Sequence, residues 1–183
     1  AVVLMAVSFV MLLVPSFLTA VAVLGGLDAV RAVDDVDAVA VGTPVETGPL
    51  RVTVTAARVT GGVLGPATVK APADRWIVVL ATVEVTGKES YSHLAPYVRL
   101  GRVNGIGDPV PTVLSVDDGS YVDYLQPGVP VKIAFAWGQD AAAAVPRRLD
   151  VRLNKAEGAL DGSSLPAWMF DGPKAVVRDI PVV

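Results

Sequence analysis

The sequence has 183 residues, with 15 Lys and Arg against 18 Asp and Glu, and it contains no Cys. The lack of cysteine excludes disulfides, thiol catalysis and cysteine-ligated metal sites. The net charge of −3 and the absence of a basic run argue against a nucleic-acid partner, because binding to phosphates needs clustered Lys and Arg.

Residues 1–27 contain no charged side chain. A helix advances about 1.5 Å per residue, so roughly 20 apolar residues cross a hydrocarbon core of about 30 Å. The segment therefore predicts a single transmembrane helix, which would insert into a lipid bilayer. Pro15 predicts a kink, because its ring removes one backbone hydrogen bond. Small residues allow close contact with a second transmembrane helix. The predicted helix-packing residues are Pro15, Ser16, Thr19, Ala20 and Gly26.

Three alternatives for this segment stay open. A cleaved signal peptide fits less well, because the apolar run is longer than the roughly 7–15 residues of a signal h-region. A lipid anchor would need a cysteine to acylate. A pilin-type stem would carry an acidic residue near its start, and this segment has none.

The flank after the apolar segment is acidic. Residues 28–37 hold four Asp and one Arg, which gives a net charge of −3. Because Lys and Arg favour the cytoplasmic side, this flank predicts a cytoplasmic N-terminus and an extracytoplasmic C-terminal domain in the plasma membrane. We expect 28–41 to be an acidic linker or a helical extension, and 42–183 to form one domain.

The domain opens with alternating apolar and polar residues over 50–56, a pattern typical of a strand. After Ala56 and Ala57 the alternation inverts, which predicts a β-bulge. Residues 76–85 are apolar on both faces, so they predict a central strand covered on both sides. The face that carries Trp76 would be covered by a loop, the membrane surface or a partner. Trp76 is therefore a candidate contact residue.

Further alternation predicts strands at 97–103, 111–116, 129–137, 149–153 and 175–182, with a turn at 117–119. Pro130 predicts that its strand starts at an edge or a bulge, because proline lacks an amide hydrogen. Many short strands with frequent turn signals indicate an all-β, antiparallel, immunoglobulin-like β-sandwich.

Four stretches carry a resemblance to a known family. They are 42–60, 76–86, the turn Leu125-Gln126-Pro127-Gly128 leading into 131–137, and 149–153. Together they resemble the telokin-like, immunoglobulin-like domains of unknown function on bacterial membrane proteins and lipoproteins. The resemblance covers most of 42–155 and implies a sandwich on an anchored protein, without common catalytic residues. This chain departs in lacking the lipidated Cys of many members.

An apolar cluster stands out late in the chain, and its members are Leu165, Trp168, Met169 and Phe170. Exposed aromatic and Met side chains typically anchor a protein interface or a membrane-surface contact. The alternative is a loop that covers the open end of the sandwich. Tyr121 and Tyr124 are a weaker version of the same pattern.

The sequence predicts no catalytic residue, no cofactor and no metal site. Its one histidine, His93, lies in a polar loop without a nucleophile-elbow pattern. The acidic groups at 34–37 and 117–123 do not have the spacing of a calcium-binding loop.

These features lead to two hypotheses. The first is a non-catalytic accessory subunit of a larger bacterial membrane complex, of transporter or secretion type, that binds polytopic membrane subunits. Its β-sandwich would lie over the extracellular face of that complex. The alternative is a free-standing membrane-anchored surface protein that binds a cell-wall glycan, a peptide or a small ligand.

Overall fold

The computed structural model describes residues 36–61, 75–160 and 166–183. In these ranges the chain forms nine strands and a short 3₁₀ helix at Ala95–Tyr97. The strands are β1 (Asp37–Val39), β2 (Pro44–Glu46), β3 (Leu50–Gly61), β4 (Arg75–Val85), β5 (Val98–Leu100), β6 (Thr112–Ser115), β7 (Val131–Gln139), β8 (Arg148–Leu160) and β9 (Pro166–Pro181).

The strands form two sheets, in the orders β2-β3-β4-β7-β6 and β1-β9-β8-β5. One large apolar cluster takes side chains from both sheets, including Leu50, Ile133 and Val151. The predicted all-β sandwich is therefore confirmed. Among the described residues of 42–183 every strand pair is antiparallel, as predicted. The one parallel pair joins β9 to β1, which lies in the segment that we expected to be a linker or a helix. There β1 covers the backbone edge that β9 would otherwise expose.

The bulge predicted in the first long strand is present in β3. Val54 pairs with Ala81 and Ala56 pairs with Leu80, so Thr55 is the extra residue. Val54 and Ala57 are fully buried on either side of this shift. The extra residue restores the burial of apolar side chains after the alternation inverts.

The prediction for β4 is also confirmed, since it is the third of five strands in its sheet. Its inward residues, such as Ile77 and Val79, join the main core. On its other face, Trp76 and Val78 form a second buried cluster with Leu114 and two alanines of β7. A strand that is buried on both faces is apolar at successive positions, and residues 76–85 show this pattern.

Pro130 directly precedes β7, but β7 is not an edge strand. It lies between β4 and β6 and pairs with both. Because Pro130 stands before the first ladder residue, Val131, its missing amide hydrogen costs the sheet nothing. The expectation of an edge or a bulge was therefore wrong, and the strand starts two residues later than the predicted range 129–137.

The last two strands are much longer than predicted. We expected strands only at 149–153 and 175–182, but β8 and β9 form a long antiparallel hairpin. Its outer part pairs Ala156 with Phe170 and Leu160 with Pro166. Three register shifts interrupt β8 between 149 and 156, and such irregularities hide the alternation that sequence analysis relies on.

Asp37–Val39 form a strand within the segment that we expected to be a linker or a helix. All nine strands belong to one compact unit, Asp37–Val183. In the part of the chain that the structure describes, no helix is long and apolar enough to cross a membrane. The predicted span at 1–27 lies outside the described residues.

Candidate functional site

Three connections meet at one end of the sandwich, which we call the loop end. They are the turn 47–49 between β2 and β3, the connection 86–97 between β4 and β5, and the connection 116–130 between β6 and β7. They lie together because the end of β4 pairs with the start of both β3 and β7. The backbone amide of Thr86 donates to Pro49 O at 2.9 Å, and the amide of Gly128 donates to Val85 O at 2.9 Å.

All four tyrosines of the chain lie in two of these connections, as does its one histidine. Tyr91 and Tyr97 are buried. Tyr121 is 50% exposed and Tyr124 is 63% exposed, so their rings face solvent. The loop end therefore combines two exposed and two buried tyrosines.

The two tyrosine-bearing connections are joined to each other. The backbones of Tyr91 and Leu125 exchange two hydrogen bonds, at 3.0 and 2.8 Å. The Ser90 hydroxyl donates to Gln126 Oε1 at 3.2 Å. Because neighbouring segments hold each other in this way, the exposed side chains are carried by a fixed backbone.

The two buried tyrosines contact each other and Phe170. Tyr97 Oη donates to Tyr91 Oη at 2.8 Å, and the two rings meet edge to face with centroids 5.7 Å apart. Phe170 also packs edge to face against Tyr97, with ring centroids 4.9 Å apart. Burial raises the pKa of Tyr97 well above its usual value, and the hydrogen bond to Tyr91 raises it further. Burial also raises the pKa of Tyr91.

Two recesses border the loop end. A groove of about 890 Å³ is lined by residues 85–93 together with Gly48 and Pro49. A smaller recess of about 390 Å³ is lined by residues 120–126, Val129 and Val131. Apolar surface makes up most of both walls, and tyrosine rings and the hydroxyls of Ser90 and Ser120 lie among it, a mixture suited to stacking contacts and hydrogen bonds.

His93 lies on the rim of the larger groove. It has a positive φ of 62° and its Nδ1 is 2.8 Å from the hydroxyl of Ser92, the preceding residue. Within the described ranges, no group of three His, Asp or Glu residues is arranged to hold a metal ion.

The structure describes only some of the residues that the sequence singled out. Phe170 is 38% exposed, and its ring packs against Tyr97. The backbones of Trp168 and Met169 belong to β9, which corrects the expectation of a loop at 165–170. Their side chains lie outside the described part of the structure, as do Leu165 and the helix-packing set Pro15, Ser16, Thr19, Ala20 and Gly26.

Trp76 lies at the start of β4, at the opposite end of this strand from the loop end. Its side chain is 4% exposed within the second apolar cluster. A contact through Trp76 stays a prediction, and it would require the residues covering the indole to move.

No protein-family model and no curated protein matches this chain. Among solved structures, the chain is similar to the crystal structure of an uncharacterized β-sandwich protein from Clostridium difficile 630. The sequence identity is 14% and the TM-score is 0.49, over 79% of this chain and 94% of that chain.

The assembly of the loop end was not foreseen from the sequence. The sequence indicated Tyr121 and Tyr124 as candidate contact residues, but it did not indicate Tyr91 and Tyr97. A signal was present, because all four tyrosines fall within the two segments 86–97 and 116–130. Their proximity depends on the pairing of β4 with β7, which a single sequence does not reveal.

Proposed function

We propose that this protein is a non-catalytic accessory subunit of a larger bacterial membrane complex of transporter or secretion type. Residues 1–27 anchor it as a single-pass helix with a cytoplasmic N-terminus, and the sandwich lies over the extracellular face of polytopic subunits. The loop end is its main contact surface. The observation that carries the proposal is the collection of all four tyrosines in two linked connections at that end.

Tyrosine suits this role for physical reasons. Its side chain supplies a large amphipathic surface and loses little conformational entropy when it is fixed, because it has only two χ angles. Tyrosine is also enriched at protein interfaces relative to the rest of the surface. Tyr121 and Tyr124 are exposed, while the connection that bears them is hydrogen-bonded to its neighbour. The cost of ordering this surface is therefore largely met before a partner binds.

We also propose that the sandwich belongs to the immunoglobulin-like class and resembles its telokin-like members on bacterial membrane proteins. Immunoglobulin constant-type domains place strands A-B-E-D in one sheet and C-F-G in the other. When β3 to β9 are taken in order as strands A to G, the observed orders β3-β4-β7-β6 and β5-β8-β9 match this arrangement. In this scheme the loop end carries the B–C connection, which in antibody variable domains contributes to antigen binding.

Recovery of partners from native membranes tests the function. The tagged full-length chain is purified in mild detergent, and co-purifying proteins are quantified by mass spectrometry. We expect one polytopic membrane protein in stoichiometric amount. The double variant Tyr121→Ala/Tyr124→Ala should weaken that association by a factor on the order of 10²–10³, taking about 2 kcal/mol for each anchoring tyrosine.

A matched control uses Val110→Ala/Val145→Ala. Both valines are 50% exposed and lie in connections at the other end of the sandwich. This variant should recover the partner as the native chain does. Recovery of the native chain alone, without any polytopic protein, would contradict the proposal.

The larger groove favours one alternative, a free-standing membrane-anchored surface protein that binds a cell-wall glycan, a peptide or a small ligand. A volume of about 890 Å³ is within the range of ligand sites. Saturable binding of soluble cell-wall glycan fragments by the purified full chain would support this alternative. The affinity for the glycan fragments should then be lower in the Tyr91→Ala variant and unchanged in Val145→Ala.

A further inference from the structure

The outer face of the sheet β1-β9-β8-β5 carries a concentration of positive charge. Its inward positions are apolar, including Val98, Val151 and Val177, and all three are fully buried. The alternate positions point outward. Five of these are basic and form what we call the basic face: Arg99, Arg148, Arg152, Lys174 and Arg178.

Sheet pairing brings these side chains together. Arg99 on β5 lies directly opposite Arg152 on β8. On its other side Arg152 pairs with Val176, which Lys174 and Arg178 flank on β9. Like charges directly opposite each other destabilise a sheet. The fold therefore keeps an arrangement that is unfavourable for the isolated domain and becomes favourable beside an anionic surface.

Neighbouring carboxylates only partly neutralise the basic face. Asp179 lies 3.7 Å from Arg148, and Asp150 accepts a hydrogen bond from the Asp179 amide at 3.0 Å. Arg152 and Arg178 have no ion pair with any described residue. Five basic side chains against two carboxylates give a local charge of +3, whereas the whole chain carries −3.

An apolar residue, Val176, lies at the centre of the basic face. Val176 is only 9% exposed, although it points outward between Lys174 and Arg178. Long basic side chains cover apolar surface with their aliphatic stems and present their charged groups beyond it. Such a surface suits a bilayer interface, where the stems meet apolar groups and the charges meet lipid phosphates.

The short connection from the proposed membrane anchor limits how far this sheet can lie from a bilayer. β1 is the edge strand of the same sheet and begins at Asp37. Nine residues, 28–36, separate it from the end of the predicted span, and nine residues reach at most about 32 Å. This placement rests on the membrane anchoring proposed above. A sheet tethered so closely remains within reach of the lipid headgroups.

We propose that the basic face lies on the anionic surface of the bilayer in which the chain is anchored. Each basic residue beside an anionic bilayer strengthens binding by about fivefold. The contact orients the sandwich on the membrane while the loop end remains available for a protein partner. The connection 28–36 also carries Asp28, Asp34 and Asp35. These carboxylates could attract the basic residues in place of lipid, so the test must distinguish binding to lipid from binding to this acidic segment.

The absence of cysteine allows a specific probe. Ala38 points outward on β1, where it pairs with Val176, and it is exposed. The full-length Ala38→Cys chain carries a fluorophore there and is inserted into nanodiscs that contain a headgroup-quencher lipid. The nanodiscs consist of phosphatidylcholine alone or of phosphatidylcholine mixed with phosphatidylglycerol. A label at Thr53→Cys, on the outer face of the other sheet, is the positional control.

Quenching at Ala38 should be strong only with phosphatidylglycerol and should decrease with added salt. Arg152→Glu/Lys174→Glu should lower the ratio of docked to undocked chains by about 25-fold or more. The matched variant Arg58→Glu/Lys132→Glu makes the same charge change on the other sheet, where both residues are exposed, and should have no effect.

Equal quenching at Ala38 in neutral and anionic nanodiscs would overturn the proposal, because the tether or the acidic connection would then explain the proximity. Stronger quenching at Thr53 than at Ala38 would also overturn it. Co-elution of the chain with the nanodisc reports anchoring separately. Failure of the anchor, or of partner recovery, is thus distinguishable from failure of this contact.

Discussion

Gly48→Ala is expected to destabilise the fold more than any other small substitution at the loop end. Gly48 has a φ of +107°, and a Cβ there would overlap the backbone carbonyl oxygen of Ala156. The same turn links the sheets, because the Ala156 amide donates to Thr47 O at 2.9 Å. Backbone strain and this clash together should cost about 3 kcal/mol or more. Chemical unfolding of the purified chain, followed by tryptophan fluorescence, measures the loss.

Gly42→Ala is the matched control for this prediction. Gly42 also has a positive φ, +84°, but no heavy atom lies within 4 Å of the position that a Cβ would occupy. Its substitution should cost only the backbone penalty of about 1–2 kcal/mol. Equal losses for the two variants would contradict this prediction, because the Ala156 carbonyl oxygen would then not restrict the position of Gly48.

The buried tyrosine pair is expected to make stability fall steeply at high pH. Burial and the hydrogen bond to Tyr91 raise the pKa of Tyr97 in the folded state above the unfolded value of about 10. The folded state therefore keeps a proton that the unfolded state releases as the pH rises. This contribution to the free energy of unfolding is complete below about pH 10. Above that pH it falls by about 1.4 kcal/mol per pH unit.

Tyr97→Phe tests this prediction without removing the ring. It should lower the free energy of unfolding at neutral pH by about 1 kcal/mol, because the hydrogen bond to Tyr91 is lost. Above pH 10 its stability should fall less steeply than that of the native chain. Tyr124→Phe removes an exposed hydroxyl instead and controls for the loss of one phenol. An unchanged slope in Tyr97→Phe would contradict the assignment.

The parts of the fold that were predicted correctly are those in which burial alone sets the residue pattern. β4 is apolar on both faces because both faces are buried, so its central place was visible in 76–85. The inverted alternation after Ala56 followed directly from the bulge at Thr55. In both places the polarity of each residue follows directly from whether its own position is buried or exposed.

The missed elements depend on pairing between distant segments. Gly158, Gly172 and Pro173 suggest turns when they are read locally, yet all three lie within the β8–β9 hairpin. Asp37–Val39 are too short to show alternation and become a strand by pairing with β9. Long-range partners outweigh local preference in such segments.

The candidate surfaces were hidden for the same reason. Basic residues on β8 and β9 alternate with buried ones, so no run of charge appears in the sequence. Only the sheet brings Arg99 and Arg152 side by side. The tyrosines likewise form two separate groups until β4 and β7 pair and bring 86–97 beside 116–130.

Site-specific photo-crosslinking in native membranes can establish whether the loop end is the surface that contacts a membrane partner. A photoreactive residue replaces Tyr124 at the loop end or, as control, Lys132 on the outer face of the sheet that contains β7. We expect one abundant adduct with a single polytopic membrane protein from position 124 and none from position 132. Adducts with the same protein from both positions, or with no membrane protein from position 124, would show that the loop end is not the contact surface.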